Sequence, residues 1–274
     1  MKCNAHFVGA KPVSLRKGVV YMKRIILITF CFFAVFGIVL PVSAFELGVR
    51  GSYWFPKMSG LVRVDDAGIT GTEVDLANDL GIDSKSFPIV EVFAGLGKHH
   101  LSLAYYKLDY DGDTVLTKDV TFNGKLFHVN EKITSSLTYD NYDLMYRYDL
   151  IDLENILAGG SLGLVARMMV FDGSASMAST TVETKANFTA PIPMVGANIH
   201  IGLLKDLIEA RILATGIAYH NSMAFDGQAE ISLTPFPFVD IHGGYRYLKI
   251  DVDEDNVKFN FDNSGIYVAA TISF

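Results

Sequence analysis

Asp109, Asp111 and Asp113 alternate along one short stretch, and Asp251, Asp253, Glu254 and Asp255 crowd another. Oxygen clusters of this kind can hold Ca²⁺ or Mg²⁺. The twelve-residue spacing of a Ca²⁺-binding EF-hand loop is absent, so the expectation is solvated acidic loops with at most weak divalent-cation binding. A second set mixes signs. Glu46, Arg50, Glu91, Asp143, Arg147, Asp149, Arg167, Glu209, Arg211, Glu230, Asp240, His242 and Arg246 share the polar side of alternating segments. Arginine forks bind carboxylates bidentately, and charges in a narrow interior must be paired or hydrated. No phosphate-binding loop, zinc spacing or dinucleotide turn occurs in a usable context. Met168 and Met169 read as packing residues. Gly159-Gly160 and Gly243-Gly244 read as positions of bending or close approach. No catalytic residue, cofactor site or defined metal site is therefore expected.

The elements that carry these residues have period two. Beyond Ala44 no apolar run reaches the roughly 20 residues of a membrane helix. The chain instead shows ten amphipathic segments separated by Gly, Asp and Asn clusters: 45–55, 87–97, 100–110, 134–150, 157–172, 187–203, 207–219, 226–235, 238–250 and 264–274. The intervening gaps alternate long and short. Gaps 56–86, 111–133, 173–186, 220–225 and 251–263 are each longer than the neighbours 98–99, 151–156, 204–206 and 236–237. Aromatic residues mark the apolar face, many near segment ends: Phe45, Tyr53, Phe55, Tyr142, Tyr146, Tyr148, Tyr245, Tyr247 and Phe274. A water-soluble barrel would turn this face inward. The aromatic residues, and polar faces rich in Arg and carboxylate, favour an apolar face that meets lipid. The polar faces then line a lumen, and Trp54, Asn141, Asn198 and His200 join the charged set there. That network could simply fill and rigidify a barrel, or it could line a narrow, cation-preferring path.

The two ends of the sequence agree. Met22-Lys23-Arg24, the apolar run Ile25 to Leu40 and Pro41-Val42-Ser43-Ala44 have the layout of a signal peptide cut after Ala44. Residues 1–21 fit neither signal nor fold and read as an upstream extension or a misassigned start. Cys3 and Cys31 both fall before the cut, which leaves residues 45–274 without thiol chemistry. Residues 1–44 hold six Lys or Arg and no acid, so residues 45–274 carry 17 basic and 30 acidic residues, 17 − 30 = −13. That balance argues against nucleic acid as a partner. In the last segment Ile266, Val268, Ala270, Ile272 and Phe274 share one face and Tyr267, Ala269, Thr271 and Ser273 the other.

A closing amphipathic strand that ends on Phe274, together with the leader and the ten segments, resembles the small Gram-negative outer-membrane β-barrel proteins, OmpA-like and porin-like. The resemblance covers residues 45–274 and rests on architecture. It implies an all-β, antiparallel, up-and-down transmembrane barrel of about ten strands in the outer membrane. It also implies lipid and lipopolysaccharide as surroundings, Phe274 as an assembly signal, and insertion by the barrel assembly machinery. The functional expectation is a narrow channel or porin-like protein for ions or small solutes. The alternative is a plugged barrel whose extracellular loops meet ligands, and a distant third is an outer-membrane hydrolase. Ten strands also match the omptin proteases, whose Asp-x-His resembles Asp240-Ile-His242, but that pair follows the short turn at Phe236-Pro237, at the periplasmic end. His220-Asn221-Ser222 resembles the His-x-Ser of the lipid A deacylases, without a matching acid.

Overall fold

Each of the ten amphipathic segments becomes a strand, and each pairs antiparallel with its neighbour in the chain. The structure is a computed structural model and describes residues 45–66, 68–152, 159–204, 207–254 and 257–274. The leader, the upstream residues 1–21 and both cysteines lie outside the described residues. The strands are β1 (Phe45–Val64), β2 (Val74–Asp75), β3 (Phe87–Leu96), β4 (His99–Val115), β5 (Val120–Phe122), β6 (Lys125–Phe127), β7 (Lys132–Asp152), β8 (Gly160–Ala178), β9 (Glu183–Leu204), β10 (Ile208–Tyr219), β11 (Ser222–Phe236), β12 (Val239–Glu254) and β13 (Val257–Ser273).

The sheet runs β13-β12-β11-β10-β9-β8-β7-β4-β3-β1 and closes where β13 pairs with β1, from Gly48↔Ser273 to Val64↔Val257. The result is a closed, ten-stranded, all-antiparallel barrel, with no helix among the described residues. Closure removes sheet edges, the only way a β-structure can satisfy its backbone in lipid. The last residue is part of the seam: Phe274 donates to the Leu47 carbonyl at 2.9 Å, accepts from the Leu47 amide at 3.0 Å, and stacks on Phe238 at 5.7 Å between centroids. Tight turns at Gly97 (φ 56°) and Phe238 (φ 69°) mark the end that also holds Phe45 and Phe274. In barrels of this build that end is periplasmic.

The strands are longer than their apolar stretches, and this corrects the expected gaps. Residues 173–178, 183–186, 222–225 and 257–263 are strand, not loop. The outer turns shrink to 179–182 and His220-Asn221, the latter no longer than the inner turn 237–238. Among the described residues the expected alternation of gap length thus holds for the first outer loop against the inner turn 97–98 and fails at His220-Asn221. The reason is physical: past the membrane the strands continue into water, and their amphipathic pattern inverts.

β4 shows the inversion within one strand. Leu101, Leu103 and Tyr105 point outward and are exposed, but the next outward residues are Lys107, Asp109, Asp111 and Asp113. Inward, His100 and Ser102 give way to buried Tyr106, Leu108 and Tyr110. β1 repeats this, with Phe45 to Phe55 followed outward by Lys57 and Ser59, and inward by buried Met58 and Val62. The apolar outer band along β1 from Phe45 to Phe55, at about 3.3 Å per residue and a tilt of about 40°, stands about 25 Å tall, one hydrocarbon thickness. Above it the barrel interior is a conventional apolar core. Leu137, Tyr139, Phe171, Leu248, Ile250 and Phe261 line the wall. Val74, Leu76, Leu80 and Ile82 from residues 65–86, and Val120, Phe122 and Phe127 from the β5–β6 hairpin, fill the mouth.

Candidate functional site

Below that core, alternation aims the polar face of every strand at one cavity of about 310 Å³. All thirteen charged residues expected at the lumen line it, except Asp149, which sits immediately behind. The upper layer is the most buried. Arg167 from β8 grips Asp143 of β7 with Nε–Oδ1 at 2.8 Å and Nη2–Oδ2 at 2.6 Å. Its Nη1 reaches Asp226 of β11 at 3.1 Å and Thr215 at 3.2 Å. Arg246 of β12 donates twice to Asp226 Oδ2, at 2.8 and 2.6 Å, and lies 4.7 Å from the centre of the Trp54 ring. Two arginines and two aspartates balance to zero at the boundary with the apolar core, and every short contact is charge-assisted. Trp54 is fully buried and donates its Nε1–H to the Gly265 carbonyl at 3.2 Å.

The next layer gathers on Glu230. Arg50 binds it with both Nη atoms, and Arg211 Nη1 lies 3.3 Å from Oε1. The Tyr267 hydroxyl donates to Oε2 at 2.7 Å, and His242 Nδ1 stands 3.5 Å from Oε1. Nearer the periplasmic end the pairs are less buried. His100 Nε2 meets Asp149 at 2.9 Å, His200 Nε2 meets Glu209 at 3.0 Å, and Arg147 Nε is 3.7 Å from Asp149. Glu46 and Glu91 line the cavity at this level.

The residues with possible chemistry take structural partners. Asp240 accepts from Thr234 Oγ1 at 2.6 Å, and His242 Nε2 meets Thr271 Oγ1 at 2.8 Å, so the Asp-x-His belongs to the internal network. His220 has φ 51° in the β10–β11 turn, with its ring against Tyr219, while Ser222 Oγ accepts from the Asp253 amide. Asp109, Asp111 and Asp113 point outward. Thr138 bonds Asp109 at 2.6 Å, Lys85 bonds Asp111 at 2.9 Å, and Lys132 lies 3.5 Å from Asp113. Among the described residues no group of three His, Cys, Asp or Glu side chains has metal-binding geometry. Met169 is buried in the core, as expected of packing, while Gly244 lies where a Cβ would meet the Tyr267 ring and the Ala229 carbonyl.

Asp226, His100 and Tyr267 carry much of the network and were not singled out from the sequence as lumen charges or donors. Parity alone could have found them: Asp226 shares its face with Glu230, and His100 lies opposite Leu101.

No protein-family model and no curated protein matches the chain. Solved structures do. The outer-membrane protease OmpT of Escherichia coli superposes with a TM-score of 0.56 at 10% identity, over 85% of this chain and 99% of that one. The fold is that of a Gram-negative outer-membrane β-barrel. The β domain of the Bordetella autotransporter BrkA (TM-score 0.39, 13% identity, 85% of this chain and 100% of that one) and Ail of Yersinia pestis (0.35, 11%, 85% and 100%) are more distant. The apolar outer band agrees, with Val90, Val92, Leu164, Ile199, Ile231 and Val268 exposed around its circumference.

Proposed function

We propose that this barrel is a sealed, non-enzymatic scaffold that works through its extracellular half. One observation carries the reading: above the Arg167–Asp226–Arg246 layer the interior is closed by buried apolar side chains, including Trp54, Tyr106, Tyr139 and Leu248. Ions crossing such a plug would lose hydration without compensation. The inward positions at the rim, where an enzyme facing outside substrates would need a cluster of charged groups, are mostly apolar, with Leu108, Ile250 and Phe261 around the Tyr110 phenol and the neutral Asn263 and Ser135.

A narrow ion path is the second reading, and the cavity of about 310 Å³ favours it. Single-channel recording of refolded residues 45–274 in a planar bilayer separates the two. The scaffold reading expects a folded, silent barrel, folding being judged by the heat-modifiable gel shift. Steady, salt-dependent steps with cation preference would replace it with the channel.

A further inference from the structure

The extracellular wall of the barrel has a gap. β9 starts at Glu183, but its pairing with β10 reaches up only to Val195↔Gly216. β10 and β11 turn at His220-Asn221, well below the tops of β8–β9 and β12–β13. Among the described residues, 183–194 therefore pair with β8 on one side and with no strand on the other.

The direction of the unpaired groups follows from three independent features. Along a strand, N–H and C=O point alternately to the two sides. Gly202 donates to Gly159 on the β8 side, so even-numbered residues face β8. The Lys185 carbonyl accepts from Asn123 Nδ2 at 3.3 Å, away from β8, so odd-numbered residues face the gap. Pro191 and Pro193 are odd, and proline is tolerated in a sheet where its missing N–H would face no partner. The prolines blunt the edge near the membrane. Higher up, Glu183, Lys185, Asn187 and Thr189 keep their donors, and their polar side chains point outward into water. On the inner side Phe188, Ala190 and Ile192 are only partly buried, and the inward positions Ile217 and Tyr219 of β10 remain exposed.

We infer that the edge of β9 at residues 183–189, where Asn123 already holds the Lys185 carbonyl but the amides of Lys185, Asn187 and Thr189 face the gap, is a docking site for an extended segment of a partner protein, which adds to the wall as a strand. Main-chain hydrogen bonds supply affinity in such strand addition, and alternate side-chain contacts supply selectivity. Here the inward side chains of the incoming strand meet an apolar floor and its outward ones meet water, so an alternating apolar–polar segment fits. A second copy of the barrel does not fit. Two copies in one membrane are related by an axis along its normal, and strands tilted about 40° from that axis would cross at about 80°, too steep to form a ladder. The inference deepens the surface-interaction reading and rests on it. The bilayer recording tests the seal and the following experiment tests the edge, so either can fail alone.

The probe is a labelled synthetic peptide copying Val170–Ala178, the segment that already pairs with Glu183–Pro191 from the β8 side. It is added to the refolded barrel in detergent micelles, and amide exchange and peptide binding are both measured. The amides of Lys185, Asn187 and Thr189 should exchange rapidly in the free protein and gain protection with peptide. Asn187→Pro removes one edge donor without touching the β8 ladder. It should fold, and it should bind the peptide roughly tenfold more weakly, whereas Asn187→Ala should bind like the parent. Four outcomes would overturn the proposal. The edge amides could be protected already in the dilute free protein. Protection could rise with protein concentration alone, which would make a second copy the occupant. Or the peptide could fail to protect the edge, or bind Asn187→Pro and the parent equally.

Discussion

Asp226 is the residue on which the interior depends. It is fully buried and accepts from Arg167, Arg246 and Gln228 within 3.1 Å. Asp226→Ala would leave two guanidinium groups buried with one carboxylate between them, and breaking a buried pair of this kind costs about 3–5 kcal/mol. Denaturant unfolding of the refolded variant should show that loss. Arg147→Ala is the contrasting case, because its nearest carboxylate oxygen is Asp149 Oδ1 at 3.7 Å. It should cost less than about 1 kcal/mol, and a larger loss would mean that Arg147 holds the lower lumen together. The charged residues on the inner face were legible as a set because alternation sorts them. Their pairing was not: Arg167 lies beside Asp143 on the neighbouring strand, yet meets Asp226 from three strands away.

At the scale of elements, the strands run past the membrane, and their ends and loops do different work. Phe274 closes the seam through two backbone bonds to Leu47. Deleting it should lower the amount of barrel inserted in the outer membrane, as read by surface labelling, and normal surface levels would remove Phe274 from the assembly signal. The first outer loop is pinned at Asp79, whose Oδ2 accepts from Lys118 Nζ at 2.8 Å and from the Asp75 amide at 2.9 Å. Partial burial pushes this carboxyl up, but the bonds from Lys118 and Asp75 outweigh it and hold it below the ordinary carboxylate range. A depressed folded-state value gives stability that is present above the unfolded pKa of about 4 and lost as pH falls through and below it. Limited proteolysis of loop 65–86 should therefore speed up between neutral pH and about pH 3, and Asp79→Asn should show the faster rate already at neutral pH.

Over the whole molecule, two barrels of opposite polarity share one set of strands. The lower one is apolar outside and charged within; the upper one is charged outside and apolar within. The seal lies above Arg147 and Arg211, so replacing either with Ala should leave the planar bilayer silent. An altered ion selectivity in either variant would show that solute passes the apolar plug and would favour the channel.

The sequence by itself determined the ten strands, their antiparallel order and the inward set of charges. Each follows from a local period of two, from turn residues and from an apolar face broad enough for lipid. The inversion was present too, in Leu101 to Asp113, but the strand reads as ending at residue 110, with Asp111 and Asp113 in the loop, because acidic outward residues look like the end of a membrane strand. Only the tertiary structure decided what fills the upper barrel. Residues 65–86 and the β5–β6 hairpin fold inward because closure brings Tyr110, Leu137 and Phe261 from distant strands around one apolar space, and burying that surface outweighs leaving the loops in water. The gap beside β9 has the same origin. Its edge exists because β10 and β11 turn early, and no residue of β9 records how tall its neighbour will be.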